Sequence, residues 1–445
     1  MTTPICDFAR EYAACDGVRL HMPGHKGSDV LGLETYDLTE ITGADSLFDA
    51  GGIIRESEQN ASSIFGAHTF YSTEGSSLSI RAMVYLTVQY AKGIGRSPLI
   101  LAARNAHKAF LSAVALCDAD VHWLTTDAPS YLSCAPTAAD LENVLRHMDT
   151  PPVALYLTSP DYLGFCANIR ALSEVCHRYG VLLLVDNAHG AYLKFSTPSQ
   201  HPIDLGADVC CDSAHKTLPA ITGAAYLHVS SRAPALFSEQ AKSALSLFGS
   251  TSPSYLILQS LDALNRILAD DYRQHLADTV SRVKRCREHL RALGYTLLGD
   301  EPMKLTVDAK AYGYEGSELA ARLSEQNIEV EFADRDFLVM MLSTETEARD
   351  LDRLCHAMGT IERRVPISAR APRFSLPSRV LSPREAIFAP NEVLPLEAAE
   401  GRVLAMTSIS CPPAVPIAVC GEILTRDVLA AMAYYGIETC VVVKK

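Results

Sequence analysis

A lysine that follows a buried strand is the residue of this chain best suited to covalent chemistry. Residues 208–212 form a short apolar run that is typical of a buried strand, and Lys216 lies shortly after its end. An amine in such a position is poorly solvated, so it can be neutral and nucleophilic near neutral pH, as a Schiff-base lysine must be. Most lysines in loops are only surface charges, but the flanking Ser213, His215 and Thr217 favour a reactive site.

Two further stretches place polar groups where a strand ends. The apolar run at residues 181–185 is typical of a strand buried on both faces, and it is followed by the carboxylate of Asp186 and by His189. His107 follows another strand pattern, at residues 98–104. Because ligands gather at the carboxyl ends of the strands in open α/β sheets, we expect these groups to converge with Lys216.

A polar turn at residues 72–77, called the phosphate turn below, lies between a short strand and an amphipathic helix. It offers backbone N–H groups, a helix N-terminus and the hydroxyls of Ser76 and Ser77 beside Gly75, so it predicts a site for an anion such as phosphate. Taken alone, the same turn would fit an ordinary serine-rich helix cap.

The elements that must position these residues alternate between strand and helix patterns. Strands are predicted at residues 98–104, 121–124, 151–158 and 181–186, with helices between them, and this alternation predicts an α/β fold with a mostly parallel sheet.

The domain organisation follows from shifts in composition along the chain. A long charged helix pattern near residues 270–293 leads to a smaller α+β region, and a Pro-, Arg- and Ser-rich linker follows it at 362–380. We predict four parts: an N-terminal segment at residues 1–50, a large cofactor-binding domain at 51–270, a small α+β domain at 271–362 and a C-terminal segment at 363–445.

Composition excludes several functional classes. The chain of 445 residues is 48% hydrophobic and 20% charged, as an ordinary globular protein is, and its net charge of −13 argues against a nucleic-acid partner. We find no apolar run long enough for a membrane span and no secretory signal. The 13 cysteines are scattered without metal-ligand spacing, so we expect reduced thiols, no metal site and a cytoplasmic protein.

Together these groups match what pyridoxal 5′-phosphate requires of a protein. Lys216 would attach the cofactor through a Schiff base, and Asp186 would pair with the protonated ring nitrogen. His107 would stack on the ring, while Ser213 and His215 would reach the phosphate.

The motifs that carry these residues resemble those of the bacterial Orn/Lys/Arg decarboxylase family, over nearly the whole chain. They are HMPGHKG at 21–27, TEITGADSL at 39–47, RNAHK at 104–108, VDNAHGAY at 185–192, SAHKTLPA at 213–220, SPSY at 252–255 and CPPAVPIAVCGE at 411–422.

The resemblance implies a fold-type-I pyridoxal-phosphate enzyme with a mostly parallel seven-stranded sheet and smaller C-terminal domains. It implies α-decarboxylation of arginine, lysine or ornithine to an amine used in polyamine biosynthesis. Ala188 would pack on the cofactor ring, and Thr251 and Ser252 would reach the phosphate of the partner subunit in a homodimer with shared active sites. Glu422 and His25 are candidate substrate contacts.

Departures from the family motifs leave the substrate open. They are Glu74 for Asn, Asn187 for Glu, Tyr192 for His, Cys411 for Tyr and Ala414 for Gly. An aminotransferase or lyase on the same fold, or a non-catalytic protein, are the alternatives. The chain starts almost directly at the first motif, without the wing domain of the large inducible members, so their ring-shaped assemblies are not expected.

Overall fold

The computed structural model describes residues 1–128, 130–406 and 415–445. Within them, seven strands form one sheet in the order β1-β7-β6-β5-β4-β2-β3. Its strands are β1 (His68–Ser72), β2 (Leu99–Ala103), β3 (Asp120–Leu124), β4 (Ala154–Thr158), β5 (Leu182–Asp186), β6 (Val209–Asp212) and β7 (Ala225–Val229).

Twelve α-helices lie before, between and after these strands in the described residues up to Ala292. They are α1 (Pro4–Ala14), α2 (Ile53–Phe65), α3 (Gly75–Gly93), α4 (Lys108–Cys117), α5 (Ala138–His147), α6 (Ile169–Arg178), α7 (Pro202–Leu205), α8 (Ala214–Thr217), α9 (Ala235–Glu239), α10 (Ala241–Phe248), α11 (Tyr255–Ala269) and α12 (Tyr272–Ala292). The predicted α/β alternation is therefore confirmed.

The directions of the strands decide which loops meet. β5 and β6 are parallel, while β7 runs antiparallel to both β6 and β1. Asp186 pairs with Cys211, Asp212 pairs with Tyr226, and Ser72 pairs with Ala225. The last residues of β1, β5 and β6 and the first residues of β7 therefore lie at the same end of the strands, where their loops converge.

β5 and β7 are buried along their whole length, which explains why most of their residues are apolar. Phe65 of α2 and Tyr71 of β1 pack against Tyr226 of β7, with ring centroids 5.2 and 5.8 Å from the centroid of Tyr226. This aromatic cluster packs β1 and β7 together, so it helps to position the loops that converge at the ends of these strands.

Two smaller antiparallel sheets follow in the chain. The first has the order β10-β11-β9-β8 and the second β12-β14-β13. Their elements are β8 (Thr296–Leu298), β9 (Lys304–Asp308), α13 (Gly316–Ser324), β10 (Phe332–Ala333), β11 (Phe337–Met341), α14 (Ala348–Thr360), α15 (Pro383–Phe388), β12 (Asn391–Pro395), β13 (Leu404–Met406), α16 (Arg426–Tyr434) and β14 (Thr439–Val443).

One predicted strand is much shorter than its sequence pattern indicates. The pattern at residues 328–334 predicts a strand, but only Phe332–Ala333 forms one, at the edge of its sheet. The residues just before it are half-buried or exposed, so their alternating apolar side chains do not cover a core.

The chain divides into two compact units. The first consists of Met1–Arg96, Val153–Leu155 and Ile169–Ala277, and the second of Ser97–Pro152, Tyr156–Asn168 and Asp278–Lys445. The four-part division drawn from the sequence stays a prediction. Among the described helices, none combines the length and the apolar character that crossing a bilayer requires.

Candidate active site

The lysine singled out in the sequence lies in the short helix α8, directly after β6. Its Nζ is 3.0 Å from Nε2 of His189, which lies in the loop after β5. His189 is buried, whereas Lys216 is partly exposed. Because β5 and β6 are neighbouring parallel strands, the two loops present an amine and an imidazole to each other, and a proton can pass between the two nitrogens.

Asp186 is the last residue of β5 and is 2% exposed. Its Oδ1 accepts a hydrogen bond from the backbone N–H of Ala188, at 3.2 Å, and lies 3.7 Å from the thiol of Cys211, which donates to it. These contacts fix the orientation of a carboxylate in a low-dielectric environment. Such a carboxylate favours the charged form of a cationic ring nitrogen.

A buried polar network lies immediately beside this carboxylate along the chain. Asn187 Nδ2 donates to Asp212 Oδ1 at 2.6 Å, and His201 and His228 contact Asp212 Oδ2 through their Nε2 atoms at 3.1 and 3.2 Å. All four side chains are fully buried. The two imidazoles hold the pKa of Asp212 well below its usual range despite its burial, so this carboxylate is ionised. The network ties the loop after β5 to the end of β6.

The phosphate turn meets the loop of Lys216 through direct contacts. Ser213 Oγ donates to Ser76 Oγ at 2.8 Å, and Ser213 is buried. Helix α3 starts at Gly75, so the N–H groups of its first turn, including those of Ser76 and Ser77, have no partners within the helix. Two hydroxyls and a helix N-terminus at one point fit a phosphate group.

His215 stands beside this turn. Its Nδ1 is 2.9 Å from the carbonyl oxygen of Ala224, to which it donates, so Nε2 is free of the proton in the neutral ring. Burial, with a smaller contribution from the neighbouring Lys216, lowers the pKa of His215. A bound phosphate dianion would act in the opposite direction and favour the imidazolium, which could donate to it.

Gly223 holds the phosphate turn in place and was not singled out in the sequence. Its carbonyl accepts a hydrogen bond of 2.8 Å from the N–H of Gly75, and its φ of +98° lies in the left-handed region. A Cβ at this position would come within 2.9 Å of the carbonyl oxygen of Thr73. The only signal in the sequence is a glycine between Lys216 and β7, which is too weak to identify the contact.

The turn that contains Thr251 and Ser252 is exposed and lies beside the phosphate turn. Glu74 Oε1 accepts a hydrogen bond of 2.6 Å from the N–H of Ser250. Glu74, one of the departures from the family motifs, therefore directs its carboxylate to this neighbouring turn. The predicted role of Thr251 and Ser252 at a partner's phosphate stays a prediction.

His107 and Glu422 belong to the second unit. His107 caps α4, with Nδ1 accepting from the N–H of Ala109 at 3.1 Å. Glu422 is 1% exposed and pairs with Arg104 at 2.9 Å. Burial raises the pKa of Glu422, although Arg104 acts against this effect. Ring stacking by His107 and substrate contact by Glu422 stay predictions, and a cationic substrate would have to share Glu422 with Arg104.

His25 and Tyr192 both belong to motifs that the sequence singles out. His25 Nε2 lies 3.2 Å from Asp37 Oδ2, and its Nδ1 accepts from the N–H of Gly27 at 3.0 Å. Tyr192 is buried after the loop of His189. Cys411 and Ala414 lie outside the described residues.

Sequence reasoning also missed the partners of Asp212. His201 comes from the polar connector before β6, and His228 comes from β7. Both look like isolated histidines in the sequence, and only the pairing of β6 with β7 brings them to one carboxylate.

Comparisons with known proteins identify relatives of this chain. A sequence model of the family described as Orn/Lys/Arg decarboxylase, major domain, matches residues 3–312. An arginine decarboxylase of Halalkalibacterium halodurans is 30% identical over 96% of this chain and 92% of its own, and one of Bacillus subtilis is 29% identical with the same coverage. A lysine decarboxylase of Pseudomonas aeruginosa is 25% identical over 58% of this chain and 39% of its own.

Solved structures share the fold. The constitutive lysine decarboxylase of E. coli is 19% identical, with a TM-score of 0.78 over 100% of this chain and 82% of its own. A NifS-like protein is 14% identical, with a TM-score of 0.55 over 69% of this chain and 86% of its own. The predicted fold-type-I architecture, with a seven-stranded, mostly parallel sheet, is confirmed.

Proposed function

Because the chain belongs to the Orn/Lys/Arg decarboxylase family and is therefore a pyridoxal-phosphate-dependent amino-acid decarboxylase, we propose that it acts on a basic L-amino acid with the cofactor attached to Lys216. The observation that carries the assignment of Lys216 is its contact with His189, 3.0 Å away. An amine needs a partner that can take up and return its proton before it can act as a nucleophile.

The contacts of the first unit support a division of roles at this site. When bound, pyridoxal phosphate accepts the electron pair left at the substrate Cα by the departing carboxylate. Asp186 would hold a proton on the ring nitrogen, and Ser76 with Ser213 and the N-terminus of α3 would bind the phosphate. Lys216 Nζ, with His189 Nε2 behind it, would return a proton to the substrate Cα.

Arginine is the first candidate among the substrates, with lysine and ornithine next. The support is that two relatives which align with 96% of this chain are arginine decarboxylases. A cationic substrate also fits the net charge of −13, because a negative field raises the local concentration of cations. The product would be the corresponding amine, a polyamine precursor.

We further propose a homodimer in the cytoplasm. An N-terminal stretch exposes apolar side chains that a second copy of the chain could cover, among them Val18, Leu20, Val30 and Leu31. The scattered spacing of the 13 cysteines, which suggests no disulfide framework, supports a reducing compartment.

An amine-product screen tests the proposed activity. The cofactor-loaded protein is incubated with arginine, lysine, ornithine and diaminopimelate, and CO₂ and amine are measured. We expect turnover of one basic amino acid, its loss in Lys216→Ala, and its retention in Lys92→Ala, which changes an exposed lysine of α3. Failure of the loaded wild type to consume any of the four contradicts the proposal, and a keto-acid product would instead support an aminotransferase.

Attachment is tested separately from turnover. Borohydride reduction followed by digestion should leave the cofactor on the peptide that contains Lys216 in the wild type and in Lys92→Ala. Recovery of the cofactor on a different lysine contradicts the assignment of Lys216 even if the protein is active.

A further inference from the structure

Two cysteines of the second unit face each other across a pair of helices. Cys286 lies on α12 and Cys355 on α14, and their sulfur atoms are 3.1 Å apart. Sulfur atoms in a disulfide are separated by about 2.05 Å, so an approach of about 1 Å would bring these two to bonding distance. We propose that Cys286 and Cys355 are a thiol pair that forms a reversible disulfide between α12 and α14.

The two thiols differ in exposure, which assigns an order to the reaction. Cys286 is 4% exposed, whereas Cys355 is only partly buried. An incoming oxidant therefore meets Cys355 first, and Cys286 acts second from beneath it. Burial raises the pKa of both thiols, so both are protonated at neutral pH and Cys355 has to lose its proton before it attacks.

A groove of about 640 Å³ gives access to the pair. Its polar lining is mainly basic, with one acidic group, and comprises Arg282, Arg285, His289, His356 and Asp352. Two guanidinium groups against one carboxylate favour an anionic oxidant. A low-molecular-weight disulfide that carries carboxylates, of which glutathione disulfide is an example, has this chemistry.

The reaction balances as two thiol–disulfide exchanges. The Cys355 sulfur, on losing its proton, attacks one sulfur of the small disulfide; the old S–S bond breaks, and the released thiolate takes up that proton. The Cys286 sulfur then attacks the Cys355 sulfur of the mixed disulfide, and the second small thiol leaves with the proton of Cys286. The two cysteines are oxidised and the small disulfide is reduced to two thiols.

The location of the pair gives the bond a physical effect. The two cysteines are 69 positions apart in the sequence, so a bond between them restricts the unfolded chain over a long loop. We expect the oxidised form to resist thermal unfolding better than the reduced form. Cys210 and Cys211 offer no such bond, because neighbouring residues of a strand point to opposite faces of the sheet.

Peptide mapping of the full-length protein tests the proposal. Reduced protein is freed of reductant, incubated with excess glutathione disulfide, alkylated and digested without reduction. We expect a peptide that links Cys286 to Cys355 in most molecules, its loss after addition of dithiothreitol, and a higher Tm for the oxidised protein. If both cysteines of the wild type are recovered as free thiols, or as two separate glutathione adducts, the proposal is overturned without any variant.

Variants then test the order of attack. Cys286→Ser should keep glutathione on residue 355, whereas Cys355→Ser should leave Cys286 unmodified because it is buried. Cys15→Ser, which removes an exposed thiol elsewhere, should form the 286–355 link as the wild type does. If Cys355→Ser takes up glutathione on Cys286 at the rate seen for Cys355, the proposed order of attack is overturned. If the Tm does not change on oxidation, the stabilising role is overturned.

Discussion

The Nζ of Lys216 lies 3.0 Å from Nε2 of His189, across the loops that follow two neighbouring parallel strands. The pair couples the only nucleophile proposed for this site to an imidazole that can exchange a proton with it. Its geometry depends on the register of β5 against β6, in which Asp186 pairs with Cys211.

Replacement of His189 by Gln should slow turnover by about 10²–10³-fold, because Gln can hydrogen-bond to Lys216 but cannot exchange a proton with it. Cofactor binding should change much less. Rates and their pH dependence are measured on the loaded enzyme, with His177→Gln on α6 as the control. A His189→Gln rate within twofold of the wild type, with the same pH profile, would exclude proton transfer by His189.

Replacement of Asn187 by Asp should destabilise the protein by roughly 3 kcal/mol at neutral pH, since it sets a second buried carboxylate against Asp212 in place of a 2.6 Å hydrogen bond. A carboxyl at position 187 would have a raised pKa, so its penalty should shrink as the pH falls and it becomes protonated. Urea unfolding at several pH values measures this, and Asn143→Asp, at an exposed position of α5, is the control. Equal stability of Asn187→Asp and the wild type at pH 7 would contradict the network.

Replacement of Gly223 by Ala should weaken cofactor binding by about tenfold or more. The added Cβ meets the Thr73 carbonyl oxygen at 2.9 Å and stands on a left-handed backbone, so the phosphate turn has to shift. Absorbance titration with pyridoxal phosphate gives the Kd. The control is Gly93→Ala, where a Cβ has open space at the end of α3, and it should bind the cofactor as the wild type does. If Gly223→Ala also binds the cofactor as the wild type does, the contact between Gly223 and the phosphate turn is dispensable.

Asp161 of the second unit should give the protein a pH-dependent stability between about pH 4 and 6. Burial raises its pKa to about 6, although its carboxylate accepts hydrogen bonds from Ser133 and from the N–H groups of Leu163 and Phe165. The pKa of Asp161 is therefore higher in the folded protein than in the unfolded chain. Its protonated form stabilises the folded protein by up to about 3 kcal/mol below pH 4, and this stabilisation is lost as the pH rises through 6.

Asp161→Asn should therefore gain stability relative to the wild type as the pH rises over this range, and urea unfolding measures the difference. The control is Asp140→Asn, because hydrogen bonds from Thr137 lower the pKa of Asp140; its stabilisation is already full above about pH 4, so this variant should show no gain as the pH rises. A difference between Asp161→Asn and the wild type that is constant from pH 4 to 7 would contradict the raised pKa.

The proposed homodimer should depend on the exposed N-terminal stretch. Leu20 and Leu31 are 89% and 81% exposed, so replacing both by Ser should raise the dimer Kd at least about tenfold if a second copy covers them. Sedimentation velocity over a concentration series measures this, with Val365→Ser as a control at an equally exposed residue. A monomeric wild type at micromolar concentration would overturn the dimer.

The sequence by itself determined the α/β class, most of the strands and helices, and the residues that carry the family motifs. These features depend on local patterns: continuous apolar runs for β5 and β6, a polar turn before α3, and a lysine directly after a strand. The same local patterns overestimated the strand at residues 328–334, since alternation alone does not report whether the apolar side chains cover a core.

Only the tertiary structure decided which residues touch. The contact of Lys216 with His189, the three donors on Asp212 and the hydrogen bond from Gly75 to Gly223 join residues that are far apart in the chain. Such contacts arise from strand order and register, which depend on packing over the whole sheet rather than on any short segment. The sequence could therefore identify the chemical groups of the site, while the register of β5, β6 and β7 set their distances and partners.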